Sequence, residues 1–226
     1  MNAMIRLAAK DLKVELRSKE MLSAMFLFSL LIVLAFRFAF DKSIESGSLQ
    51  MDDLASSALW ISFSFAAIIG MHTSFAKEKD RETLEGLLLC PVDRGVIFLG
   101  KALSNLVLVF TVDILSIGFF ALFFSYDFNN NVGAVIAIAF LGTLTLVLVG
   151  TLVAAISVNT RAREVLLPVL LIPLVAFSVI IPCVTATRNA IMGELAESVG
   201  EIQSIVGFAV VFAAIGYLAI DYVLEG

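Results

Sequence analysis

The sequence has one histidine, His72, and two cysteines, Cys90 and Cys183, set far apart. It has no CxxC pair, no His/Cys cluster and no HExxH run, which excludes a structural zinc site and a zinc-peptidase helix. A serine nucleophile needs a base that is itself held by a third group, and no carboxylate stands in sequence to orient the lone imidazole. The chain therefore reads as a non-catalytic protein. Charge is also scarce: 15% of residues are charged, against about 25% in soluble domains. Nineteen Phe stand against three Tyr and one Trp, so the aromatic residues are suited to lipid or apolar protein rather than water.

Apolar residues are abundant, at 60% of the chain with a mean hydropathy of +1.02. A membrane helix needs about 20 mostly apolar residues. Six stretches qualify: 21–40, 54–75, 102–125, 132–158, 165–185 and 202–224. They are too long for barrel strands and do not alternate, so the expected fold is all-α and polytopic, with six transmembrane helices. No small-x-small cleavage pattern follows the first run, so a cleaved signal peptide is not expected, and no lipidation motif closes the sequence.

Basic residues set the orientation. Segment 1–20 holds Arg6, Lys10, Lys13, Arg17 and Lys19; segment 76–101 holds Lys77, Lys79, Arg81, Arg94 and Lys101; and segment 159–164 holds Arg161 and Arg163. The three other connections hold only Lys42 and Arg188, and are acidic instead. The positive-inside bias then places both termini and segment 76–101 in the cytoplasm, with the chain in the cell membrane. Cys90 falls on that reducing side, which argues against a disulfide. The net charge of −5 sits in the connections, and no nucleic-acid partner is expected.

Residues 1–20 form a separate unit. At helical spacing Ile5, Ala8, Ala9, Leu12 and Leu16 gather on one side, and Arg6, Lys10, Lys13 and Arg17 form a neighbouring stripe. This pattern suits an amphipathic helix in the headgroup layer with its basic side toward anionic lipid; a solvated basic leader is the alternative. In segment 76–101 a mixed-charge, helix-compatible stretch leads to Leu84, Leu87 and Leu88 at i, i+3, i+4 spacing, flanked by Glu82 and Glu85 and stopped by Pro91. Such a surface suits the grip of a partner protein, or packing back on the membrane.

The fifth span carries Pro168, Pro173 and Pro182, which predict a bend or break near its outer end. The fourth carries Gly142, Thr143, Gly150, Thr151, Ala154 and Ala155, small residues that let helices approach closely. Gly95 to Ala102 matches the phosphate-loop pattern except at its last place. Ala102 offers no hydroxyl for Mg²⁺ and a membrane span follows directly, so ATP would have to be bound by a partner chain. Within the spans, ionisable residues are candidates by default. Asp113 lies near mid-span, bonded to a hydroxyl of the Thr111 or Ser116 type, or paired with Arg37. Arg37 lies toward the outer end of the first span, where it can instead snorkel outward. His72, at the inner end of the second span, is a haem ligand or an interfacial packing residue.

The run Asp80-Arg-Glu-Thr-Leu-Glu-Gly-Leu-Leu-Leu-Cys-Pro-Val-Asp-Arg-Gly-Val-Ile-Phe-Leu-Gly-Lys101 resembles the cytoplasmic loop of the haem exporter protein B (CcmB) family. Leu141-Gly-Thr-Leu-Thr-Leu through Pro168 to Pro173 is similar to it too, and Lys10-Asp-Leu-Lys-Val-Glu-Leu-Arg-Ser-Lys suits its N-terminal helix. Type-2 ABC permeases share the flavour of the loop, with Gly often where this chain has Arg81. The resemblance implies a permease subunit of an ABC complex in cytochrome c maturation, coupled through Glu82, Leu84, Glu85, Leu87, Leu88 and Pro91 to a separate ATPase. It also implies a Trp-rich haem-handling membrane partner and a haem chaperone released by the complex. Trp60 is the only Trp here, so haem is expected as a substrate of the complex and not as a cofactor of this chain. A homodimer, a lipid, polyketide or drug exporter, and a non-transporting membrane scaffold stay open.

The topology makes a direct prediction. In a background lacking Cys90 and Cys183, Ser48→Cys and Asn130→Cys are expected to react with an impermeant maleimide added outside intact cells. Reaction of either only from the cytoplasmic side would sink the orientation.

Overall fold

A computed structural model describes residues 2–47, 50–80, 93–128, 131–157, 169 and 171–225. The elements are α1 (Asn2–Ser18), α2 (Glu20–Glu45), α3 (Met51–Asp80), α4 (Arg94–Phe124), α5 (Val132–Ser157), a π-helical turn (Ala176–Ile180), α6 (Ile181–Met192), a 3₁₀ turn (Leu195–Ser198) and α7 (Val199–Glu225). Among the described residues six helical stretches are long and apolar enough to cross a membrane, one of them Leu171–Met192 through the π turn. No strand occurs among the described residues. The all-α polytopic fold read from the sequence is therefore observed.

Several helices run beyond the expected spans. α4 starts at Arg94 rather than at 102, and α3 continues to Asp80. At 1.5 Å per residue α4 is about 46 Å long, well over the roughly 30 Å of a hydrocarbon core. The turns from Arg94 to Lys101 thus belong to a helix, not to a loop. Glu82, Leu84, Glu85, Leu87, Leu88 and Pro91 lie outside the described residues, as do Arg161, Arg163 and Pro168.

The chain turns sharply between α1 and α2. Lys19 takes a left-handed conformation (φ 57°), and the Glu15 carboxylate accepts the Met21 and Leu22 amides at 2.7 and 3.1 Å. The first turn of any helix has amides with no partner inside the helix. Here a buried side chain of the preceding helix supplies it, so the bend is fixed by the sequence of α1. At the other end of the bundle Ser125 (φ 49°) and Gly193 (φ 80°) close α4 and α6 in the left-handed region.

α3 is the central helix: 72% of its most apolar stretch is buried, against 11% of the corresponding stretch of α7. Trp60 is fully buried. A Cβ on Gly142 of α5 would lie 2.1 Å from its Cη2, so only a glycine lets the indole seat there. The indole N–H donates to Thr187 Oγ1 of α6 at 2.8 Å. Gly150 receives Met71 in the same way. The small residues of the fourth span thus serve close packing, as their spacing predicts.

The fifth span differs from expectation in where it is disrupted. The π turn occupies the middle of the 171–192 stretch, between Pro173 and Pro182, and the part beyond it is regular helix. Pro182 lacks an amide donor, and the wider turn takes up the mismatch, with the Ile181 amide donating to the Ala176 carbonyl. Ser178 Oγ adds a bond to the Leu174 carbonyl at 2.5 Å.

These contacts separate one glycine from another. Gly142→Val is expected to cost about 1–3 kcal/mol through overpacking, read as a lower Tm in detergent. Gly118, with no atom within 4 Å of its built Cβ, should tolerate Gly118→Ala with no loss. Equal tolerance at both positions would show that the Trp60 seat does not matter.

Candidate functional site

Polar groups inside the bundle fall into two sets. One lies at mid-helix. Asp113 of α4 is fully buried and accepts a hydrogen bond from Thr143 Oγ1 of α5 at 2.6 Å, while its other oxygen, Oδ1, has no hydrogen-bond partner. The partners expected from the sequence are engaged elsewhere. Thr111 Oγ1 donates to the Val107 carbonyl and Ser116 Oγ to the Val112 carbonyl, each one turn back on the same helix. Ser116 also meets Ser29, which lies 2.5 Å from Ser62 Oγ, so three hydroxyls link α2, α3 and α4. Arg37 does not pair with Asp113. It pairs with Asp41, one turn along α2, and its guanidinium lies 5.6 Å from the centre of the Phe124 ring.

His72 of α3 is half-buried and its Nε2 has no partner. Among the described residues no three His, Cys, Asp or Glu side chains come together as a metal site. Asn105, which the sequence reading passed over, is buried in α4 with both amide atoms unpartnered. A buried polar group left so costs about 1–3 kcal/mol, so Asn105 and Asp113 Oδ1 are the groups of α4 best placed to take a polar partner.

The second set is at the end of the bundle where α1 lies, around the first two turns of α4. Asp93 caps α4, accepting the Gly95 amide at 2.8 Å, and its other oxygen accepts the Tyr217 hydroxyl of α7 at 2.9 Å. A Cβ on Gly95 would fall 2.4 Å from the Tyr217 ring, and one on Gly216 would fall 2.2 Å from Phe98. On another side of α4, a Cβ on Gly100 would meet Leu7 of α1 at 2.8 Å. Lys101, buried, holds Asp11 of α1 at 2.9 Å. The phosphate-loop resemblance is thereby explained: both glycines are notches for neighbouring helices, and the lysine is an ion partner for α1. This joint binds α1, α4 and α7 directly after segment 81–92. The sequence could have signalled it through glycines spaced to opposite sides of one helix.

A separate pair of contacts closes the opposite end. Tyr126 bonds Asp52, and Arg188 bonds Asp53. Burial, then the bond to Asp52, pushes the Tyr126 phenol up from its ordinary value, so the hydroxyl keeps the proton it donates.

The joint can be tested on its ion pair. Asp11→Ala leaves the Lys101 ammonium buried without this carboxylate and is expected to cost about 3–5 kcal/mol, with Asp11→Leu/Lys101→Met recovering most of it. Thermal unfolding in detergent reads both. An unaffected single variant would mean the pair bears no load.

A protein-family model described as CcmB protein matches residues 2–225. No curated protein matches the chain. The match takes in all six spans, the α1–α4–α7 joint and the intervening segment 81–92, so the chain belongs to the CcmB family, permease components of the ABC transporter for haem export in cytochrome c maturation.

Proposed function

We propose that this chain is the membrane permease of a complex that helps to free a haem-loaded chaperone at the outer face of the cell membrane. Both termini are cytoplasmic in this reading, and haem is handled by a Trp-rich membrane partner. A second copy of the chain completes the permease. ATP is hydrolysed in a separate ATPase, which docks on segment 81–92 through Leu84, Leu87 and Leu88, with Glu82 and Glu85 beside them and Pro91 ending the surface.

The observation that carries the proposal is the joint that follows segment 81–92. Asp93 is at once the next described residue after it, the cap of α4 and the partner of Tyr217. A force applied to the segment meets a helix end tied on one side to α7 and on another, through Lys101 and Asp11, to α1. α4 then passes it along its length to Asp113, bonded to α5, and to Ser116, bonded to α2. Motion delivered at one end would reach the far end as displacement of several helices together, because packed interiors transmit strain rather than absorb it.

Docking by an apolar knob makes a definite prediction. Truncating buried anchors at the centre of an interface costs about 2 kcal/mol or more, roughly thirtyfold in affinity. Leu84→Ala/Leu88→Ala should therefore lose the co-purifying ATPase and its stimulated hydrolysis while membrane insertion stays normal. Full retention of the ATPase, with unchanged hydrolysis, would refute the docking surface.

A further inference from the structure

α1 has three sides. One faces the bundle and includes Ala8, Asp11 and Glu15. Both acidic residues of this helix are engaged there: Asp11 with Lys101, and Glu15 with the first amides of α2. A second side is apolar and exposed, with Ala9, Ile5 at 50% and Leu16 at 60% of full accessibility. The third side carries Arg6, Lys10, Lys13 and Arg17, all exposed. Lys10 lies 3.2 Å from Asp11. Arg6, Lys13 and Arg17 have no acidic partner among the described residues.

The turning of the acids inward leaves three cations without an acidic partner beside an apolar strip, on a side of the helix that is exposed among the described residues. We infer that α1 lies on anionic phospholipid headgroups, with Ile5, Ala9 and Leu16 in the acyl boundary and Arg6, Lys13 and Arg17 on lipid phosphates. Depth supports this choice. α1 is joined to the first turn of α2 by Glu15 and to the second turn of α4 by Lys101. Both are helices apolar and long enough to cross, so α1 sits within about 10 Å of where they enter the hydrocarbon. Basic and apolar residues side by side at that depth match an interfacial helix. Each basic residue near an anionic surface is worth roughly fivefold in association. The alternative cover, the surface of a partner protein, would require acids on that partner and would shield the apolar strip from lipid.

The experiment uses the full chain in nanodiscs of phosphatidylcholine with or without phosphatidylglycerol, in a background lacking Cys90 and Cys183. Spin labels at Ile5→Cys and Leu16→Cys are expected to collide with dissolved oxygen, and a label at Lys13→Cys with a water-soluble nickel chelate. Native mass spectra should show phosphatidylglycerol retained, and Arg6→Gln/Lys13→Gln/Arg17→Gln should lower that retention by at least tenfold while the protein stays monodisperse. Labels at Ile5 and Leu16 that read as aqueous in both lipids would overturn the inference. So would shielding from both reagents that appears only when the ATPase is added, retention unchanged in the triple variant, or equal displacement of the lipid by inorganic phosphate.

Discussion

Helices within hydrocarbon gain nothing by hiding apolar surface from lipid, so they hold together by fit and by the few polar groups they share. In this bundle the fit is made by Trp60 on the bare Cα of Gly142. The contact brings α3 and α5 closer than any side chain at position 142 would allow, and the indole N–H reaches past to Thr187 on α6. Three helices are thereby set at fixed spacing around one ring. Met71 at Gly150 repeats the fit further along α3 and α5, and Gly70, with a built Cβ 3.0 Å from the Met25 sulfur, brings α2 in. The hydroxyls of Ser29, Ser62 and Ser116 come within bonding reach because these backbones are already close.

The spans were legible because the demand of a bilayer on sequence is crude: about 20 apolar residues, whatever their order. Glycines at 142 and 150 announced close approach for a related reason, since a missing side chain is visible in sequence. Partners were not legible. Thr111 and Ser116 are the hydroxyls nearest Asp113 in sequence, but they return to carbonyls four residues back, and Thr143 on another helix donates to the carboxyl. In sequence Lys101 stands among loop cations, where its charge suggests water, yet Asp11 allows it to lie buried in α4. The break in the fifth span was foreseen from its prolines, but its position depended on which neighbours could absorb a wider turn.

α4 touches on nearly every function considered. It is capped by the residue that follows segment 81–92, notched for α1 and α7 in its first turns, and bonded to α5 and α2 further on. Its far end carries an aromatic cluster, with Phe120 stacked 4.3 Å from Phe124 and Tyr126 held to Asp52. A helix so fastened along its length moves as a rod.

The π turn at 176–180 holds one residue more than a regular turn would. Such a surplus can be passed along a helix as a defect, and closing it would advance the segment beyond by about 1.5 Å and turn it by about 100°. α6 carries Thr187 and Cys183, both set against Trp60 or its seat on Gly142. A rotation of that size would take the hydroxyl away from the indole. The Trp60–Thr187 bond therefore holds α6 at one rotation about its axis, and the wider turn before it is what brings the hydroxyl to the indole.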